Sequence, residues 1–462
     1  MCYNPHMSGN ILEEKSFGKS LVKLILPMTL QNFMFALIPV SDAVMLVMLD
    51  QDSMSAVSLA SQVMFVFNLF VYAIMSGMSL FAAQYWGKGD RKSMSTVLGY
   101  NLRLMVPISL AFFVCAFFFP EGTMRVFTNV PGIIGYGTGY LKIAAFAYIS
   151  DGIAQVLVTM LKNTERVMQS MVIGICMVIG NVCLNAVFIY GLLGAPQMGA
   201  RGAALATTIS CTAGLVGAIF TFIGKSPVKL SLKDIFDVPM DFRKDYSKYT
   251  TPLIANQLLW GIAFTLITVI IGHLTDDAIA ANAIAAIAKD LVSCFCYALA
   301  AGGAILVGNE LGAGRLQRGK EYGGKLTVLS IISGLGLGLL LAALAPLITS
   351  KVNLTPEAAK LLKYILFMCS YYIMGRSINS VVIGGIFPAG GDTVFGMICD
   401  TITMWAVILP AGFIAAFVLE LPVIWVYFIL NLDEMIKLPV VYIHYKKYKW
   451  VRNIVNKEPV ST

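Results

Sequence analysis

A succession of apolar blocks, each about as long as a lipid bilayer is thick, limits what this chain can fold into. Met171–Tyr190 and Leu326–Ile348 are two of them. An α-helix rises about 1.5 Å per residue, so roughly 20 apolar residues cross the ~30 Å hydrocarbon layer. In lipid a segment must satisfy its own backbone hydrogen bonds, which makes each block a helix. Composition agrees: 58% of residues are hydrophobic and 13% are charged, against about 45–50% and about 25% in soluble domains. Mean hydropathy is +0.78. An all-α polytopic membrane protein follows.

Breaks at Gly, Pro and charged residues predict twelve spans: 21–48, 53–81, 94–119, 132–158, 167–191, 198–223, 248–273, 278–306, 322–348, 357–385, 393–418 and 421–445. Glu13, Glu14, Lys15 and Lys19 precede the first. That block is too long for the core of a cleavable leader, so the first helix is expected to stay. With residues 1–20 in the cytoplasm, Lys88, Arg91, Lys92, Lys162, Arg166, the basic residues of 225–248 and 315–325, and those from Lys437 onward share one side. That bias predicts both termini cytoplasmic, in a plasma (inner) membrane. The formal charge of +8 then comes from helix ends, and no nucleic-acid partner is expected. Most of the nine cysteines lie inside apolar blocks and read as small hydrophobes. His6, His273 and His444 are too scattered for a metal site.

Residues 82–91, Ala-Ala-Gln-Tyr-Trp-Gly-Lys-Gly-Asp-Arg, have an echo. At an offset of 225, Gly87 meets Gly312 and Gly89 meets Gly314. The same offset pairs Pro27 with Pro252, Tyr72 with Tyr297 and Gly77 with Gly302, without gaps. The chain therefore reads as two parallel six-helix repeats: a lobe at 21–224, a linker at 225–247, a lobe at 248–446 and a tail at 447–462. Duplication of this kind suits alternating access around a central cavity.

Charges at membrane depth cost about 2.5–3.5 kcal/mol each on insertion scales, so each needs a reason. Asp42 follows Pro39 late in span 1. The proline removes a backbone donor and favours a bend, and a carboxyl there can trade a proton or Na+ with solvent; helix packing is the alternative. Asn181 and Asn185 lie one helical turn apart on span 5, and can ligate an ion or bond between helices. Lys289 and Asp290 sit mid-span 8, with Arg376 on span 10 and Asp400 on span 11 as expected partners. Asp151 and Arg376 are mates at the 225 offset and could bridge the two halves. Gln31, Asn32, Asn256 and Gln257 add a polar pair at matching positions of each half. All of these are cavity candidates.

The stretches LPMTLQNFMFALIPVSD, AAQYWGKGD, GNVCLNAVFIYGLLGAPQMGARGAALATTIS, ILVGNELGAG, FPAGGDTVFGMICD and DEMIK together resemble the multidrug and toxic compound extrusion (MATE) family of cation-coupled antiporters, over nearly the whole chain. The resemblance implies a twelve-helix, V-shaped transporter that exports amphipathic, often cationic compounds in exchange for H+ or Na+. It implies no cofactor, and a monomer in the bilayer. It maps an ion-binding carboxylate onto Asp42 and an ion-site asparagine onto Asn181. Position 185, acidic in some relatives, is Asn here, and span 7 offers only Asn256 and Gln257 where some branches carry an acid.

Two rival readings remain. A lipid or lipid-linked sugar flippase of the same superfamily would carry a more cationic cavity. An intramembrane aspartyl protease would use Gly-Lys-Gly-Asp90, but its repeat copy ends in Arg315, and such an enzyme needs two carboxylates that share a proton.

Overall fold

The computed structural model describes residues 5–47, 51–225, 227–352 and 354–456. The expected end of span 1 at 48, and the last residues of the tail, lie outside them. Among the described residues there is no strand. The long helices are α1 (Pro5–Val47), α2 (Gln51–Lys88), α3 (Arg91–Phe118), α4 (Pro131–Asn163), α5 (Val167–Tyr190), α6 (Ala200–Lys225), α7 (Met240–Gly272), α8 (Asp276–Gly312), α9 (Leu316–Lys351) and α10 (Pro356–Val381). The last three are α11 (Thr393–Thr401), α12 (Val423–Leu430) and α13 (Asp433–Lys446).

Their ends follow local chemistry. Asp90 accepts hydrogen bonds from the Ser93 backbone N–H (3.0 Å) and hydroxyl (2.7 Å) at the start of α3. Thr275 and Thr355 cap α8 and α10 in the same way. Asp90 is thus a helix cap in a turn.

Among the described residues ten helices are long and apolar enough to cross a membrane: α1 to α9, and α11 with its continuation to Val418. The two other expected spans differ for visible reasons. Span 357–385 is α10, diluted by Arg376, Asn379, Tyr371 and Tyr372. Span 421–445 is cut in two at Asn431, whose side chain turns back to the Tyr427 carbonyl (2.9 Å).

Wider turns, with N–H groups reaching five residues back, occur at Val382–Ile386, Ile402–Ile408 and Ile414–Val418. Pro388 and Pro410 account for the first two. A proline ring clashes with the carbonyl four residues earlier, here Gly384 and Ala406, and each lies in a widened segment.

The chain forms two compact units: 1–32, 83–89 and 259–462 in one, and 33–82 and 90–258 in the other. Apart from the 83–89 segment, the chain passes from one to the other inside α1 and inside α7, close to the 225-residue offset. Each repeat's first helix therefore begins in the unit that holds the other repeat, which a division at 224 and 248 does not show.

The described part of the linker packs within its unit. A short helix, Leu232–Phe236, lies against Gly99 of α3, and the Phe236 carbonyl accepts from Arg103 (3.2 Å). Tyr246 is buried and donates to Asn101 Oδ1 (2.5 Å).

In the other unit, the ends of α2 and α8 cross. A Cβ at Gly87 would strike the Asn309 backbone, and one at Gly312 would strike the Gln84 backbone. Gly87 and Gly312 are repeat mates, as are Gln84 and Asn309. Ala83 and Gly308, also mates, face each other at the centre, 2.7 Å from the Ala83 Cβ to a Cβ built on Gly308.

The segment after α13 packs over this crossing. Trp450 is fully buried. Gln84 Nε2 donates to the Ala389 and Arg452 carbonyls (2.7 and 3.2 Å), and Gln84 Oε1 accepts from the Ile454 N–H (2.9 Å). Asn453 donates to the Gly312 carbonyl (3.1 Å).

Candidate functional site

The unit containing most of the first repeat holds a polar cluster built by α1, α5 and α6. Asp42, half-buried, accepts at Oδ1 from Asn185 Nδ2 (2.5 Å). Asn185 Nδ2 also donates to Asn181 Oδ1 (3.2 Å), and Asn181 Nδ2 donates to Thr207 Oγ1 (3.2 Å). Asn181 and Asn185 are buried, and Asn185 Oδ1 has no hydrogen-bond partner. Buried Tyr140 of α4 lies within electrostatic reach of Asp42. An orphaned amide oxygen beside a carboxylate and a hydroxyl is an oxygen-rich donor set. Such sets suit hard cations.

Thr207 is absent from the sequence-level candidates. A threonine one turn into a run of small residues, Ala203-Ala-Leu-Ala206, gives no pattern that separates it from helix packing. Asp151 of α4, also buried, accepts from Gln155 (3.1 Å) on its own helix.

The second unit holds a larger charged cluster on α8, α10, α11 and α13. Arg376 Nη1 pairs with Glu434 Oε1 (2.7 Å), and Nη2 donates to the Tyr297 hydroxyl (2.8 Å). Asn379 donates to Glu434 Oε2 (2.8 Å) and to its carbonyl (2.7 Å). Lys437 Nζ reaches Asp400 Oδ1 (3.0 Å), Glu434 Oε2 (3.2 Å) and Asp433 Oδ2 (3.7 Å).

This arrangement revises two expectations. Arg376 and Asp400 take partners on α13, Glu434 and Lys437, where the sequence reading paired them with Lys289 and Asp290. Within its own unit Arg376 bonds Glu434 and the Tyr297 hydroxyl, and within the other unit Asp151 bonds Gln155. Lys437, counted among the cations that orient the chain, is buried in an ion network at 5% exposure. Burying such charges is tolerable only because each is paired and hydrogen-bonded.

Lys289 lies 4.8 Å over the Tyr372 ring, and Arg376 lies over Trp260 (5.6 Å) and Tyr297 (5.4 Å). Gln31 is buried in this unit, and Asn32 donates to the Cys294 carbonyl (3.3 Å). Asn256 and Gln257 remain half-buried on α7, in the other unit. A groove of about 710 Å³ also runs along α7 and the widened turns after α11. Leu266, Val269, Trp405 and Phe417 line it, so it is an apolar surface apart from the charged cluster. Among the described residues no group of three His, Cys, Asp or Glu could hold a metal ion.

The MatE family model matches the chain twice, at residues 27–187 and 252–414. The chain belongs to the MatE family. The two matches start at the same 225-residue offset that pairs Pro27 with Pro252, so the duplication is that of the family domain itself. The chain is thus a multi-pass membrane protein from a family of transporters.

It is 22% identical to the uncharacterized transporter YisQ of Bacillus subtilis, covering 95% of this chain and 96% of that one. It is 25% identical to the multidrug resistance protein PmpM of Pseudomonas aeruginosa, over 86% of this chain and 83% of that protein. Among solved structures, an outward-facing multidrug resistance MATE transporter superposes with a TM-score of 0.85 at 16% identity, covering 93% and 95% of the two chains. A Pyrococcus furiosus transporter of the same superfamily gives 0.83 at 17% identity, covering 93% and 95%. These likenesses establish a MATE-like fold of two six-helix repeats.

Proposed function

We propose that this MatE protein is a secondary active efflux antiporter. It exports amphipathic or cationic organic compounds in exchange for Na+ or H+, as a monomer in the inner membrane with both termini cytoplasmic. The observation that carries the reading is the bond from Asn185 to Asp42 across α5 and α1, with Asn181 and Thr207 behind it.

A carboxylate held at membrane depth needs a counter-charge, and the unpaired Asn185 oxygen supports Na+ as the ion that supplies it. A bound ion neutralises Asp42, links α1 to α5 and α6, and favours the conformation in which that cluster is closed. Coupling requires only that ion-bound and substrate-bound protein prefer different orientations. One charge moving down 100 mV supplies about 2.3 kcal/mol, before any concentration difference.

The test is dye uptake by proteoliposomes under an imposed Na+ or H+ gradient. A Na+ gradient should drive uptake by the native protein. Asp42→Asn should abolish it while membrane insertion is unchanged. Uptake by Asp42→Asn at the native rate would sink the assignment; uptake driven only by H+ would move the same site to proton coupling.

A further inference from the structure

The middle of α4 holds a carboxylate for which the chain supplies no cation. Asp151 is 6% exposed. Among the described residues it accepts from Gln155, a turn further along the same helix (3.1 Å), and no Lys, Arg or His pairs with it or stands within electrostatic reach. Its neighbours on the helix show what α4 packs against there. Ser150 shares a hydrogen bond with Thr212 of α6 (3.1 Å), and Gly152 faces Ser109 and Met105 of α3 and Phe67 of α2. From these helices the Cys211 thiol of α6 is the titratable group that reaches Asp151, and it brings no positive charge. A buried carboxylate without a counter-charge is neutralised rather than left ionised. The neutralising cation must then come from outside the chain.

The surroundings define which cation. A hard metal ion needs several oxygen ligands, whereas Asp151 has an N–H donor from Gln155 and a soft thiol nearby. An organic ammonium needs room that so enclosed a side chain does not give. A proton needs one oxygen, which Asp151 supplies itself. The helix also provides a way in. Tyr140 lies eleven residues before Asp151 and Lys162 eleven after it. Eleven residues make three turns plus about 20°, so the three share a face, with Gln155 about 40° to one side of Asp151. That face runs about 33 Å from Tyr140 to Lys162, the depth of the ~30 Å hydrocarbon layer. Among the ten candidate spans α4 is also the most enclosed, with 72% of its apolar window buried. A polar face on it therefore meets protein rather than lipid.

We propose that Asp151 is a second cation site of this unit, one that takes a proton, and that the face of α4 from Lys162 through Gln155 is the route by which that proton exchanges with water. Loading transfers H+ from a hydronium at the Lys162 end to an Asp151 oxygen and leaves water behind; release reverses it, and no other bond changes. The site is separate from the Asp42 cluster, whose groups come from α1, α5 and α6. Cys211 links the two only at a distance, within electrostatic reach of Tyr140 as well as of Asp151. On the transporter reading the protein then exchanges two ions at two sites. Proton binding at Asp151 is measured at equilibrium, without transport, so either conclusion can fail alone.

Infrared spectroscopy of the purified protein in detergent, at neutral pH, tests it. The native protein should show the carbonyl band of a protonated carboxyl, which Asp151→Asn loses and Asp42→Asn keeps. Asp151→Glu should move the band without removing it, and so assigns it even if Asp151→Asn fails to fold. Transfer to D2O should shift the native band within the time of mixing, because the proton exchanges. Gln155→Leu should keep the band and slow that shift at least about tenfold. A spectrum unchanged by both Asp151 substitutions overturns the proposal, because Asp151 then carries no proton. A native band that never shifts in D2O overturns it too, since the proton is then a fixed part of the packing. A Gln155→Leu variant that exchanges as fast as the native protein overturns the route.

Discussion

Glu434 shows what a single side chain carries in this protein. Its two oxygens hold Arg376, Asn379 and Lys437 at 2.7–3.2 Å. Removing one partner from a buried ion pair leaves uncompensated charge and typically costs about 3–5 kcal/mol. Glu434→Ala should therefore lower the thermal unfolding midpoint in detergent far more than Glu121→Ala, which breaks an exposed pair with Arg125. Equal midpoints for the two variants would contradict the network. Asn185→Leu removes the donor from Asp42 while filling similar space. It should weaken Na+ binding at least about tenfold, measured as protection against unfolding in Na+ titrations. The sequence made the Asp42 site legible because a lone carboxylate in an apolar run and two asparagines one turn apart are both conspicuous. Glu434 and Lys437 were hidden for the opposite reason. They follow the apolar run of α12 directly and read as the charged end of a span, and only tertiary packing turns that end inward.

Helices meet most closely where α2 crosses α8, and the two contacts there are symmetry mates. Gly87→Ala and Gly312→Ala each force a methyl into the partner's backbone. Overpacking of this kind costs about 1–3 kcal/mol, and the two losses should be similar, as read from unfolding midpoints. Gly89→Ala and Gly314→Ala should behave differently from these. Both glycines have φ near +80° with open space around them, so the cost is the left-handed backbone alone, about 1–2 kcal/mol. A Gly87 variant that unfolds with the native protein would remove the crossing from this account. The turn after α2 was readable because Gly, Asp and a cluster of cations mark it. The widened turns at 382–386 and 402–408 were not, since a proline in an apolar run signals a disturbance without saying whether the helix will break, bend or widen.

For the whole molecule, the duplication was the most legible property, because Gly and Pro landmarks survive at a fixed offset when other residues have diverged. The exchange of first helices between units was not legible, since hydropathy marks where a helix crosses the membrane and says nothing about its neighbours. The packing of the segment after α13 was not legible either: nothing in Lys447, Lys449 and Arg452 signals that Trp450 is fully buried and that Gln84 binds three backbone groups near it. Ending the chain at Lys449 should therefore reduce monodispersity in size-exclusion chromatography, whereas ending it at Asn456 should not. The crossing that this segment covers has one further consequence. Ala83 and Gly308 occupy equivalent places on its approximate two-fold axis, so together they supply a single methyl to a space that belongs equally to both copies of the ancestral domain. Which copy owns the methyl is a historical accident. Exchanging the two residues, Ala83→Gly with Gly308→Ala, should be nearly silent, although Gly308→Ala alone forces two methyls into room for one.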